Sequence, residues 1–216
     1  MTDWFRRKTW TPTDEQEFFT KLIRARKYNH PQILRIQALA LVEAKDNNLL
    51  DAAEMLLNRV LTEYSDNRIE RSQTYNQLGN IYRLRNDLEK ALIYFQKSID
   101  FEKEFPNVIS ISYLDFSEII VQAQKTEFYD DVYSLLLQRI DQENIQFPIE
   151  NYVVYSLLSF LANFKGDTPK AKEYAHAAST HANKKTNSLW NVNKNKIGIV
   201  KERKSWLDKL LKYKKN

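Results

Sequence analysis

Tyr75-Asn-Gln-Leu78-Gly79-Asn-Ile-Tyr82, followed by Ala91-Leu-Ile-Tyr-Phe95, is the stretch that decides the fold. Apolar and small side chains recur at helical spacing in both halves, so the stretch predicts two helices joined by a short turn. Gly79 and Ala91 are small enough to let the two helices approach, and the expectation is that they face each other at the crossing. Tyr75, Tyr82 and Phe95 then fill the space above and below that contact. Asn86 is expected to cap the second helix, with Glu89 at capping-box spacing.

These positions resemble the tetratricopeptide-repeat pattern W-x2-L-G-x2-Y…A-x3-F…P, with Tyr75, Leu78, Gly79, Tyr82, Ala91 and Phe95 at its places and Lys103 where the closing proline would stand. Weaker copies flank the central one. Gln37, Ala40, Leu41 and Ala44 precede Ala53, Leu57 and Val60; Phe116, Ile119, Ile120 and Ala123 precede Val132, Leu136 and Leu137. In a fourth copy Tyr155, Leu158, Ser159 and Ala162 lead through Gly166 to Ala171, Ala175 and Ala178, with Thr168 read as the cap before Pro169. The anchors Ala53, Ala91, Val132 and Ala171 lie 38, 41 and 39 residues apart, longer than the usual period of about 34. The resemblance implies an all-α fold, a right-handed helical array or α-solenoid of about four pairs over residues 31–183. Residues 1–30 supply an N-terminal cap helix with the stripe Phe18, Phe19, Leu22 and Ile23, and residues 184–216 a basic amphipathic C-terminal helix. Trp190, Trp206 and the aliphatic residues of that last segment are expected to pack on the final pair, with Gly198 bending it.

Composition agrees with helices. The chain has only 3 Gly and 5 Pro, the residues tight turns need, and no Cys. Disulfides, thiolate nucleophiles and Cys-based metal sites are thereby excluded. No secretory leader and no apolar run of membrane-spanning length is present, so a cytoplasmic setting is expected. The net charge of +5 conceals an asymmetry. From Lys184 onward 11 Lys/Arg oppose Glu202 and Asp208, a net +9, whereas the first 183 residues carry 22 against 26, a net −4.

Few residues could carry chemistry. His30 precedes Pro31 and reads as a turn residue; His176 and His181 are five apart, not the four that put two ligands on one helix face. Asp130-Asp131 and Glu102/Glu104 read as helix starts or polar faces. With no Gly-rich phosphate loop and no nucleophile elbow, neither enzymatic activity nor a metal, cofactor or small-molecule substrate is expected.

Binding has a location. By the resemblance, the first helix of each pair lines a concave surface, and its groove positions are Gln73, Asn76, Asn80 and Arg83 in the central copy, Arg35 and Lys45 upstream, and Ser117, Gln124 and Asn163 downstream. Amides and guanidinium groups along one face suit an extended backbone or a carboxylate; the same stripe also reads as a solvated helix face. Val42, Val121 and Phe160 interrupt the set that would clamp a C-terminal carboxylate. The expected function is a protein-interaction scaffold whose partner is another protein. Small arrays of this kind also resemble bacterial immunity proteins that neutralise a toxin. The lysine-rich C-terminal segment leaves open a nucleic-acid or anionic-membrane partner.

Overall fold

At four turns among the described residues the chain passes from one helix to the next through a residue of positive φ: Lys45 (57°), Asn86 (61°), Gln124 (53°) and Gly166 (81°). From that conformation the amide reaches back three residues, Asn86 to the Arg83 carbonyl at 3.0 Å, Gln124 to Val121 at 3.3 Å and Gly166 to Asn163 at 3.0 Å. The following amide reaches back five, from Asp87 to Tyr82, Lys125 to Ile120 and Asp167 to Ala162, at 2.9, 3.0 and 2.9 Å. The last carbonyls of each helix are satisfied and the chain reverses within two residues. Because the left-handed residue uses up position 86, the cap of the next helix is Asp87 rather than Asn86, its side chain accepting from the Lys90 amide at 3.1 Å. Asp167, not Thr168, likewise caps its helix through the Lys170 amide at 3.1 Å.

A computed structural model describes residues 4–141, 147–187 and 196–211. Among them the fold is all-α, with no strand: α1 (Pro12–Arg24), α2 (His30–Glu43), α3 (Leu50–Glu63), α4 (Arg68–Leu84), α5 (Leu88–Glu104), α6 (Ser112–Gln122), α7 (Tyr129–Asp141), α8 (Pro148–Phe164), α9 (Thr168–Ala182) and α10 (Ser205–Leu210). The chain divides into two compact units, Met1–Ser112 and Tyr113–Asn216.

In the first unit α2 packs on α3, α4 on α5, and α3 on α4. Leu34, Leu41, Ala53, Leu56, Leu57, Leu78 and Ile81 are fully enclosed in one cluster, which Phe18 and Leu22 of α1 join. Ile23 was expected on that apolar stripe but is 79% exposed, because it stands about 100° round the helix from Leu22. The segment before α1 is strapped down by a two-way amide contact: the Arg7 amide donates to Gln37 Oε1 at 3.0 Å, and Gln37 Nε2 donates to the Arg7 carbonyl at 2.8 Å. Over it Trp4, Trp10 and Phe19 ring Phe18 at centroid distances of 5.4, 5.3 and 5.3 Å. His30 opens α2 with its ring between the Tyr64 hydroxyl and the Ala25 carbonyl, both at 3.0 Å.

Gly79 has a different neighbour from the one expected. The atoms nearest a Cβ placed there all belong to the Phe95 ring, at 2.5 to 2.9 Å, so the glycine makes room for an aromatic ring rather than for Ala91. Both Phe95 and Ala91 are fully buried.

In the second unit α8 packs on α9 through Ala171, Ala175, Ala178 and Ala182, all buried. Arg139 of α7 lies over the Tyr113 ring of α6 at 4.9 Å. α10 lies on α8, with Leu207 and Leu211 buried. Its anchor is polar: Tyr152 donates to Asp208 Oδ1 at 3.1 Å, and Arg203 grips the same carboxylate at 2.6 and 2.8 Å. Burial and that carboxylate push the Tyr152 phenol up to about 12. Lys204 pairs with Glu118 at 2.5 Å, while Lys196, Lys201 and Lys209 are exposed. Gly198 (φ 73°) is required, since the Phe147 ring lies 2.2 Å from where its Cβ would be. Leu189, Trp190, Val192, Lys194, Lys212, Lys214 and Lys215 lie outside the described residues.

Two predictions follow from these turns and this contact. Gly79→Ala should cost about 1–3 kcal/mol, because the enclosed Phe95 ring has nowhere to retreat; a Gly79→Ala/Phe95→Leu variant should recover part of the loss in urea unfolding. Gln124→Gly should raise the thermal midpoint and Gly166→Ala lower it, each by an amount corresponding to about 1 kcal/mol or less.

Candidate partner-binding face

α4 carries the candidate face, and its neighbours fix its orientation. Asn67 caps it by accepting the Glu70 amide at 3.0 Å. At its far end the Tyr82 hydroxyl donates to Glu54 of α3 at 2.5 Å, and Arg85 forks across Glu54 and Asp51. The hydrogen bond and burial raise the Tyr82 phenol to about 12. Burial acts to raise the Glu54 carboxyl, but the bonds from Tyr82 and Arg85 outweigh it and hold the group below its usual range. The Tyr82 ring stacks flat on Tyr94 of α5, 5.3 Å away.

Arg35 of α2 pairs with buried Glu70 of α4, and the Gln77 amide is assigned to bond the Arg35 carbonyl and Nη1 at 3.3 and 3.2 Å. Arg35 therefore fixes α2 against α4. Gln73, Asn76, Asn80 and Arg83 do share one stripe of α4. Along it Gln73 donates to the Ile109 carbonyl at 3.0 Å, and Asn80 bonds the Asn76 carbonyl at 3.1 Å. Asn76 is only 5% exposed, so it braces Asn80 rather than offering its own amide.

The remaining expected residues fall elsewhere. Lys45 and Gln124 are not on helices: they are the left-handed residues of their turns. Ser117 of α6 is fully buried and donates to the Tyr113 carbonyl at 2.6 Å. Asn163 stands in the last turn of α8, where its carbonyl receives the Gly166 amide.

Three residues at this face were not foreseen. Ile69, one turn before Gln73, is 72% exposed, and Ile111 and Ile109 are 47% and 37% exposed. Ile69 was legible as the next residue on the same stripe, at i−4 from Gln73. The loop bearing the other two is held by Glu102, which is not on a polar face but 4% exposed. It accepts from the Ser110 amide, the Ser110 hydroxyl and the Ser72 hydroxyl at 2.8, 2.7 and 2.7 Å.

An open cleft of about 760 Å³ in the same unit has Arg68 stacked on Phe105 at 4.5 Å and Arg71 near Tyr75 and Phe101. Arg68, Arg71 and Lys97 there are balanced by Asp66, Asp100 and Glu104, so it favours neither sign of charge.

Residues 32–104, from within α2 to the end of α5, match the family model of the tetratricopeptide repeat, and the helix pairs of this span are tetratricopeptide-like. Such repeats generally mediate protein–protein interaction and are typically non-catalytic. No curated protein and no solved structure matches the chain. No helix among the described residues is long and apolar enough to cross a membrane.

The brace beneath the face has a pH signature. A carboxyl lowered on folding contributes stability that is full above its unfolded pKa, about 4.3 for Glu, and that is lost as pH falls through the lower folded value. Glu54→Gln should therefore destabilise the protein at pH 7 and lose less further stability than the parent between pH 5 and 2, as read from urea midpoints.

Proposed function

We propose that the chain is a non-enzymatic protein-interaction module that receives a partner polypeptide on the α4 face of its first unit. The observation that carries this reading is exposed Ile69 on the same stripe of α4 as Gln73, Asn80 and Arg83, together with exposed Ile109 and Ile111 on the loop that Gln73 and Glu102 hold beside α4. Apolar anchors rimmed by hydrogen-bonding groups make up the usual anatomy of an interface, with the anchors providing most of the affinity and the polar rim its register. The geometry suits an extended or helical segment laid along α4, since Ile69, Gln73, Asn76, Asn80 and Arg83 repeat at helical spacing over four turns. A toxin neutralised by this face is one member of that partner class.

The test substitutes only exposed side chains. Ile69→Asp with Ile111→Asp should leave the helical spectrum and melting midpoint nearly unchanged. Each lost anchor removes on the order of 1.5 kcal/mol of burial, so recovery of the partner from a native extract should drop by at least about tenfold. Ile93→Asp, on α5 and 52% exposed, is the control. Unchanged recovery by the double variant, or loss with the control alone, would overturn the assignment to α4. Co-purification of nuclease-sensitive material as the main bound species would favour the basic C-terminal segment instead.

A further inference from the structure

The second unit contains a concavity of a different kind, a cleft of about 280 Å³ lined among the described residues by Asn151, His181, Lys184, Lys185, Thr186 and Asn187, with Pro148 at its edge. Unlike the charge-balanced cleft of the first unit, it has two ammonium groups and no carboxylate among these residues. The Lys184 amide donates to the His181 carbonyl at 3.3 Å, but neither the Lys184 nor the Lys185 ammonium group has an ion-pair or hydrogen-bond partner among the described residues. Lysines past the end of a helix commonly serve to complement its negative dipole end, and α9 ends at Ala182. The side chains gathered around these lysines go beyond that role.

Every polar side chain on the lining can donate a hydrogen bond: two amides, a hydroxyl, two ammonium groups and an imidazole. Asn187 is 4% exposed and fixed by its bond to the Ile197 carbonyl at 3.3 Å, so part of the wall is built rather than incidental. The His181 ring is held in place by the Tyr155 ring, 5.7 Å away and inclined by 21°. Its Nδ1 is sealed from solvent without a partner among the described residues. Burial and the neighbouring Lys184 ammonium hold the imidazole below its usual pKa, so near neutrality it is a neutral ring beside an uncompensated cation. The 17-residue α8 begins at the cleft, adding the positive end of its dipole.

We propose that this cleft binds a small, largely dianionic phosphate group, carried either by the free ion or by a phosphate monoester. Two ammonium groups match the roughly −1.5 to −2 charge of such a group near pH 7, and its three acceptor oxygens match the convergent donors. The volume admits the phosphate with a small organic substituent. The site lies within Tyr113–Asn216 and does not depend on the α4 face.

The experiment follows the His181 ring and the Thr186 and Asn187 amides by NMR in the full chain, during titration with inorganic phosphate and, separately, glycerol phosphate. Ionic strength is held constant with sodium chloride. The expected result is saturable shifts at all three residues with both probes. A Lys184→Gln/Lys185→Gln variant, altering only exposed side chains, should weaken binding at least about tenfold, while Lys170→Gln leaves it unchanged. Tighter binding of glycerol phosphate than of phosphate assigns the site to an organic monoester; the reverse order assigns it to the free ion, and either supports the proposal. Shifts that grow linearly without saturating, that chloride reproduces, or that persist in the double variant would overturn it.

Discussion

The helix pairs depend on the left-handed residue that ends each first helix. One backbone conformation satisfies the terminal carbonyls, reverses the chain and sets where the next cap falls, so it fixes how two helices enter their crossing. Three of the four such positions hold residues with a Cβ, Lys45, Asn86 and Gln124, and only Gly166 adopts the conformation without strain. Their spacings of 41, 38 and 42 residues follow the repeat more directly than the degenerate apolar anchors do. The long period leaves the turn unchanged and is taken up elsewhere, in the 17 residues each of α4 and α5 and in the connection 105–111 before α6.

The fold class was legible because packing in a helical hairpin restricts residue size at few positions. Tyr75, Leu78, Gly79, Tyr82, Ala91 and Phe95 announce a pair, and the burial of Leu78, Ala91 and Phe95 follows from it. The details that escaped were those decided by three-dimensional neighbours. Gly79 could be read as small, but not that the ring above it would be Phe95. Asn86 is a good cap in isolation, yet Asn is also among the side chains that best tolerate positive φ, and here the turn uses that second property. Asp stands immediately after the turn residue at positions 46, 87 and 167, a signal that would have placed the caps of α5 and α9 at Asp87 and Asp167.

The candidate face was less legible because groove positions carried over from a pattern take no account of which side chains the fold itself employs. Arg35 is engaged with Glu70 and Gln77, Gln73 with the Ile109 carbonyl, and Ser117 is enclosed. Exposed isoleucines escape a reading that assigns apolar residues to the core by default, although the stripe shared with Gln73 sets Ile69 apart from Ile81. Buried polar groups were equally hidden. Glu102 resembles a solvent-facing carboxylate in sequence, but with three donors converging on it, it organises the loop beside α4.

The strap across the first unit reads main chain only. Gln37 is completely enclosed and contacts the amide and carbonyl of residue 7, not its side chain. A clasp of this kind is blind to the identity of the residue it holds, proline excepted, since proline has no amide hydrogen to give. The selectivity lies wholly with the clasping residue. A carboxylate of the same length could still accept from the amide but would face the carbonyl with like partial charge, and a shorter amide would not span both groups. The clasp itself thus sets no side-chain requirement at position 7, where the guanidinium is held separately by Asp14 and Glu17, whereas it does fix one glutamine in the second helix.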